Sequence, residues 1–147
     1  MKKLVVITFS LVLILSSCSN QVEKNIIGTW TVKETDFQNI DEVMDIFIND
    51  YALDQAGADE IRKEILKSLE DEMKGTIIVF EEDNIYKAEG NEGKWYYNKK
   101  SKAFEIEEGG YEYDLSIEKF KGDVIELIMT VEDDGIKMDI SMKLFRN

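Results

Sequence analysis

The chain has 147 residues, of which 18 are basic and 31 acidic, and its formal net charge is −13. This length allows one domain with one core. The acidic balance argues against nucleic acid and anionic lipid headgroups as partners, because both bind positive surfaces. The chain has no histidine and one cysteine. Imidazole chemistry and a disulfide within the chain are therefore excluded.

The N-terminus has the pattern of an export signal. Met1-Lys-Lys3 is basic, and the apolar stretch Leu4–Leu15 that follows is too short for a spanning helix, which needs roughly 20 residues. The stretch ends in Leu15-Ser-Ser-Cys18, which resembles the bacterial lipobox. The resemblance implies cleavage before Cys18 and attachment of acyl chains there, and several chains anchor a protein stably. The alternative is a secreted protein with a chance cysteine at this position.

These features predict three segments: a lipoprotein signal peptide (1–17), a lipidated tether (18–25) and a folded domain (26–147). The expected location is the cell envelope, with the membrane reached through lipid on Cys18. Ser19 stands where some bacteria place the aspartate that holds lipoproteins at the inner membrane, so we expect an outer-membrane lipoprotein. Whether the domain faces the periplasm or the outside stays open.

The folded domain begins with Ile26-Ile-Gly28-Thr-Trp30-Thr-Val32, and a second Gly-x-Trp, Gly93-Lys-Trp95, opens a later strand. Both resemble the opening strands of lipocalins and of lipocalin-like domains in lipoproteins of Bacteroidetes. In such barrels the glycine lets the chain bend, and the tryptophan closes the barrel base, commonly under a basic residue of the last strand. The resemblance therefore implies that Trp30 stacks against Arg146. The alternative is that the last strand frays before Arg146, which would leave the arginine solvated.

Two amphipathic helices are predicted after the first strand. One apolar stripe comprises Ile40, Val43, Met44, Phe47 and Tyr51, and the other comprises Ala58, Ile61, Ile65, Leu69 and Met73. Asn39 and Glu42 have the form of a capping box, Gly57 is predicted to break the two helices apart, and Gly75 to stop the second. The helices could lid one mouth of a barrel or cover its side.

The last half of the chain alternates apolar and polar residues between short turns. Such alternation indicates strands with one buried face, and short connections join antiparallel neighbours. The predicted strands are Ile26–Asp36, Thr76–Glu81, Ile85–Glu89, Lys94–Asn98, Ala103–Glu107, Tyr111–Glu118, Asp123–Val131 and Ile136–Phe145. We therefore predict a mainly β fold, an eight-stranded antiparallel up-and-down (lipocalin-like) barrel with a two-helix insertion between strands 1 and 2. A β-sandwich is the rival.

The side chains predicted to face inward are apolar and uncharged, and they either fill the interior or line a pocket for a hydrophobic small molecule. The candidate ligand-binding residues are Trp95, Tyr111, Tyr113, Met129, Met138 and Met142. A binding module for an apolar small molecule is the favoured function. An envelope protein–protein interaction module, with a filled barrel and no ligand, is the alternative.

Catalysis and metal binding are not predicted. The acidic turns Glu81-Glu-Asp83 and Glu132-Asp-Asp-Gly135 lack the ligand spacing of a calcium loop and read as solvated turns. Paired carboxylates could serve glycoside hydrolysis, but no carboxylate is predicted at an inward position. We expect neither an enzyme nor a cofactor.

Overall fold

The computed structural model describes residues 21–51, 54–133 and 136–147. The predicted signal peptide (1–17) and Cys18 lie outside these residues. Residues 21–26 are helical (α1). The other helices are α2 (Ile40–Tyr51) and α3 (Gln55–Met73), and a short 3-10 turn spans Glu82–Asn84. The strands are β1 (Gly28–Gln38), β2 (Ile77–Phe80), β3 (Ile85–Ala88), β4 (Asn91–Asn98), β5 (Ala103–Glu108), β6 (Tyr111–Lys121), β7 (Val124–Asp133) and β8 (Ile136–Arg146).

The eight strands form a closed antiparallel barrel in sequence order, with β1 paired to both β2 and β8. The predicted fold class is confirmed, and the sandwich is excluded. Closure removes exposed sheet edges, since the first and last strands satisfy each other's backbone groups. Short turns make every connection except the one from β1 to β2, which contains α2 and α3.

The start of the domain differs from the prediction. The first strand begins at Gly28 rather than Ile26, and residues 21–26, expected to be mostly tether, are helical. Val22 and Ile26 lie one helical turn apart, and both pack on the barrel core, where Ile26 is fully buried. An apolar pair at this spacing gives a short helix one buried face, which explains why the segment folds against the barrel.

The helical insertion contains a second correction. Gly57 lies inside α3 and does not separate the helices; Asp54 caps α3 instead, because its carboxylate accepts a hydrogen bond from Gly57 N at 2.8 Å. Asn39 has a positive φ of 61° and accepts from Glu42 N through its backbone carbonyl, unlike the extended first residue of a capping box. The predicted stop at Gly75 is confirmed, because α3 ends at Met73.

The two helices lie against the first and last strands: α3 contacts β1 and α2 contacts β8. Ile40, Met44 and Ala58 are buried, yet they are separate from the cluster of residues that fills the barrel. No helix in the described ranges is long and apolar enough to cross a membrane.

The barrel has two unlike ends. We call the end where β1 begins and β8 finishes the base, and the opposite end, with the β3–β4 and β5–β6 turns, the mouth. Residues near the base pack into a dense core, of which the largest fully buried side chains are Trp30, Phe80, Phe104, Ile26, Ile106, Ile125, Leu127 and Leu144. This filled half lies directly below the mouth half of the barrel.

Candidate ligand cavity

The base is closed by Trp30 and Arg146. They are direct partners across the β1–β8 seam, and the guanidinium carbon lies 4.4 Å from the indole centroid, within the range of a cation–π contact. Arg146 Nη1 also donates to the carbonyl of Ile27 at 2.8 Å and Nη2 to that of Asn25, while Nε pairs with Asp123 at 3.2 Å. The arginine therefore joins α1, β1 and the β6–β7 turn.

Trp30 is held from several directions. Its ring nitrogen donates to the carbonyl of Ile26 at 2.7 Å, and Phe120 meets its ring edge-on at 5.8 Å. Gly28 has a φ of 142°, and a Cβ there would stand 2.6 Å from Arg146 Nη1. The backbone angle therefore favours glycine at this position, and any larger residue would also displace the guanidinium of Arg146. These contacts close the base of the barrel.

An aromatic cluster fills the interior next to the base. Phe80 lies 5.8 Å from Trp95 and 5.3 Å from Phe104, centroid to centroid. Trp95 also donates from its ring nitrogen to the carbonyl of Glu81 at 3.1 Å, which satisfies its one polar group. Trp95, a predicted ligand contact, therefore belongs to the packed core and does not line the cavity.

The mouth half of the barrel is hollow. A cavity of about 850 Å³ opens at the mouth, within the roughly 300–1,000 Å³ of ligand sites. Five strands each have two successive inward-facing residues at the inner end of the cavity. The residue nearer the mouth lines the cavity, and the residue nearer the base does not. The lining residues of these pairs are Val32, Ile78, Leu115, Met129 and Met142, and their neighbours are Trp30, Phe80, Ile117, Leu127 and Leu144. The interior is therefore neither wholly filled nor wholly hollow.

A chain of polar groups crosses the wall of the cavity. Tyr113 donates its hydroxyl proton to Glu108 Oε2 at 2.8 Å, and the hydroxyl oxygens of Tyr113 and Tyr86 are 3.4 Å apart. Burial raises the pKa of Tyr86 to about 12, and burial with the adjacent Tyr86 also raises the pKa of Tyr113. Both hydroxyls are therefore neutral at physiological pH, and the single proton of the Tyr113 hydroxyl is used on Glu108.

The mouth is acidic and aromatic. The carboxylates that border the cavity are Glu72, Glu89, Glu108, Glu112 and Glu132, and the described lining contains no lysine or arginine. Tyr111 stands at the β5–β6 turn with 77 % of its surface exposed. From the helices, the last turn of α3 contributes Glu72 and Met73. The cavity thus combines apolar walls with a negative rim.

The structure places four of the six predicted ligand contacts on the cavity: Tyr111, Tyr113, Met129 and Met142. Met138 packs against the core and is not among the lining residues. Sequence reasoning missed Tyr86 and Glu108. Glu108 continues the inward register of Phe104 and Ile106 on β5, so alternation carried a signal for it, but the predicted strand stopped at Glu107. The expectation that inward positions carry no charge is wrong at Glu108.

Within the described residues, no group of three or more carboxylate or cysteine side chains is arranged to hold a metal ion. At the β7–β8 turn Glu132 pairs with Lys137 at 3.3 Å, and residues 134–135 of that turn lie outside the description.

Comparisons of the chain with protein-family models, with curated proteins and with solved structures found no match. The fold and the cavity are therefore the basis for any functional conclusion.

Proposed function

We propose that this protein is a membrane-anchored, lipocalin-like envelope lipoprotein that binds an apolar small molecule in the mouth half of its barrel. The observation that carries the proposal is the cavity of about 850 Å³ above a filled base. Its inner wall is formed by Val32, Ile78, Leu115, Met129 and Met142. Burying apolar surface of a ligand against such walls contributes roughly 25 cal/mol per Å², and methionine adapts to irregular shapes.

The arrangement of core and cavity supports a binding role over the alternative of a protein–protein interaction module with a filled barrel. A chain that needed only a stable scaffold would gain stability from larger side chains at the mouth, since empty space forfeits packing contacts. Here the side chains of the base half fill the interior, while those of the mouth half, Tyr86 and Tyr113 included, leave a cavity between them. The space at the mouth is therefore better explained by a bound ligand than by the needs of the scaffold.

Anchoring is the second part of the proposal and rests on the sequence alone. Leu15-Ser-Ser-Cys18 would place acyl chains on Cys18, shortly before the helical residues 21–26 that dock on the barrel. A domain carried in this way lies close to the bilayer. The apolar ligand of such a protein would be poorly soluble in water and would be shielded by the cavity.

A probe-binding measurement tests the cavity. We would use the chain from residue 19 onward, since every residue of the barrel core lies within it, and titrate it with diphenylhexatriene, an apolar dye that fluoresces when shielded from water. Saturable binding is expected. Native mass spectrometry of the same preparation would identify a small molecule that copurifies.

A matched pair of variants locates the probe. Ala88 lines the cavity, so Ala88→Trp places an indole inside it, whereas Ser116→Trp adds the same group to the outer face, where Ser116 is exposed. Loss of dye binding in Ala88→Trp, with binding kept in Ser116→Trp, supports the proposal. Equal binding by both variants, or no binding by the wild type, contradicts it.

A further inference from the structure

The charge around the mouth is one-sided. Five glutamates border the cavity, and no described lining residue is basic. Ion pairs usually neutralise such carboxylates in part, but of these five glutamates only Glu132 pairs with a cation of the described residues, Lys137. Glu89 accepts a hydrogen bond from Thr76 at 3.0 Å, and Glu108 accepts one from Tyr113. These bonds come from neutral hydroxyls and leave the negative charge uncompensated.

The carboxylates are spread around the opening rather than gathered at one point. They come from α3, the β3–β4 turn, the end of β5, the start of β6 and the end of β7. A bare metal ion needs several oxygen ligands at once, and the described residues form no such group. A spread ring of charge instead attracts a larger cation, and the net charge of −13 acts in the same direction at longer range.

Aromatic rings stand beside the same opening. Tyr111, Tyr113 and Tyr86 all line the cavity, the first at its entrance and the others deeper. Tyrosine faces attract ammonium groups, and several tyrosines around one cavity are a known means of recognising quaternary ammonium. The mouth thus offers carboxylates and the ring of Tyr111 to a positive group, and the other two tyrosines lie further in, while the interior offers apolar surface to the rest of the molecule.

We infer that the ligand is a cationic amphiphile: an organic molecule with an apolar body in the hollow half and an amine or quaternary ammonium group at the glutamate rim. The inference rests on the proposed function, because it assigns a charge to the ligand of the same cavity. An anionic amphiphile such as a fatty acid is disfavoured, since its carboxylate would meet five others without a basic partner.

Three dyes with the same apolar body and different charges separate the effect of ligand charge on affinity from that of apolar burial in the cavity. They are diphenylhexatriene, its trimethylammonium derivative and its propionic acid derivative, each titrated into the chain from residue 19 onward. We expect the cationic dye to bind about tenfold more tightly than the anionic one at low salt, because single exposed charge pairs are weak and several act together. The preference should shrink at 1 M salt, where the Debye length is about 3 Å.

Two triple variants with the same net charge test whether the preference for the cationic dye comes from the glutamates that border the cavity. Glu72, Glu89 and Glu112 are exposed at the mouth, so their replacement by glutamine leaves the Tyr113–Glu108 contact in place. The control replaces three exposed glutamates away from the cavity, Glu82, Glu105 and Glu118, by glutamine. The rim variant should lose most of the preference, and the control, with the same net charge, should keep it.

Each outcome bears on a different claim. Binding of the neutral dye with no preference for the cationic one overturns the inference and leaves the apolar site standing. A preference that falls equally in both triple variants also overturns it, because net charge alone would then be responsible. If none of the three dyes binds the wild type, the proposed function fails and the inference fails with it.

Discussion

Arg146 faces Trp30 across the seam that closes the barrel, with its guanidinium carbon 4.4 Å from the indole centroid. The geometry is the one that the sequence suggested, and its energetic value is a prediction. Arg146→Ala should destabilise the fold by about 2 kcal/mol or more, since two carbonyls lose a charged donor as well. Trp30→Phe should also destabilise it, and the double variant should cost less than the sum, by roughly 0.5–2 kcal/mol.

Urea denaturation of the four proteins in this cycle gives the coupling. Lys143→Ala is a control on the same strand, because Lys143 makes a partly exposed pair with Glu34 at 3.2 Å and should change stability by less than about 1 kcal/mol. Strictly additive effects of Arg146→Ala and Trp30→Phe would show that the contact contributes nothing of its own.

Tyr86 makes the stability of the barrel sensitive to alkaline pH. Its pKa is raised from 10.0 to about 12, mainly by burial, so between these values the native protein keeps a proton that the unfolded chain has released. Below about pH 10 Tyr86 is protonated in both states, so its ionisation does not lower the free energy of unfolding. As the pH rises from 10 towards 12, the free energy of unfolding falls. The loss from this residue amounts to roughly 2–3 kcal/mol.

Tyr86→Phe removes this dependence while keeping the ring. Stability measured by urea denaturation at a series of pH values should fall less steeply above pH 10 in the variant than in the wild type. The comparison cancels the titration of groups that do not contact Tyr86. The neighbouring Tyr113 changes in the same direction, because the substitution removes one cause of its raised pKa. Parallel curves for the two proteins would mean that Tyr86 ionises alike in the folded and unfolded states.

The helical insertion is expected to stabilise the barrel wall rather than to gate the cavity. Met44 is buried on α2, which contacts β8, so Met44→Ala should cost about 2–4 kcal/mol. Asp45→Ala, at an exposed position of the same helix, should stay within about 0.5 kcal/mol. Thermal denaturation separates the two variants, and neither should change the affinity for diphenylhexatriene.

Replacing residues 40–74 by a short Gly/Ser loop tests the insertion as a whole. We expect a sharply lower melting temperature, because the barrel loses a large apolar partner, with the β signal in circular dichroism retained. An unchanged melting temperature together with abolished dye binding would instead identify the helices as a lid.

Cys18→Ser tests the anchor. Only a thiolate at this position can take the thioether-linked lipid that the lipobox implies, and the chain has no second cysteine. In a bacterium that lipidates proteins at a lipobox, the wild type should incorporate a palmitate analogue and sediment with membranes. The variant should do neither, and a Ser17→Ala variant, which keeps a small residue before the cysteine, should behave as the wild type. Labelling of Cys18→Ser would refute lipidation at this residue.

The barrel could be predicted from the sequence where strands are long. Ile125, Leu127 and Met129 alternate on β7, and Ile140, Met142 and Leu144 alternate on β8, and all of them face inward as expected. Period-two alternation fixes the face of a residue because a shift by one position would expose the whole set. The same argument placed Met129 and Met142 inside the barrel.

The remaining features depend on tertiary contacts that the sequence does not display. β3 has four residues, too few to show a period, so Tyr86 gave no signal. Trp95 and Met129 both face inward, yet one is packed and the other borders the cavity, because strand tilt sets the depth of each residue. Gly57 resembled a break by composition, whereas the local bond to Asp54 decided where α3 begins.

Closure of β1 on β8 also has a kinetic consequence. Contacts such as that between Arg146 and Ile27 join residues 119 positions apart, and the entropy of closing so long a loop must be overcome before the contact forms. Barrels rich in such pairings fold in milliseconds to seconds rather than microseconds. Until β8 is available, the outer edge of β1 remains unpaired and open to strands of other molecules. Newly made chains should therefore be most prone to aggregate in the interval before the seam closes.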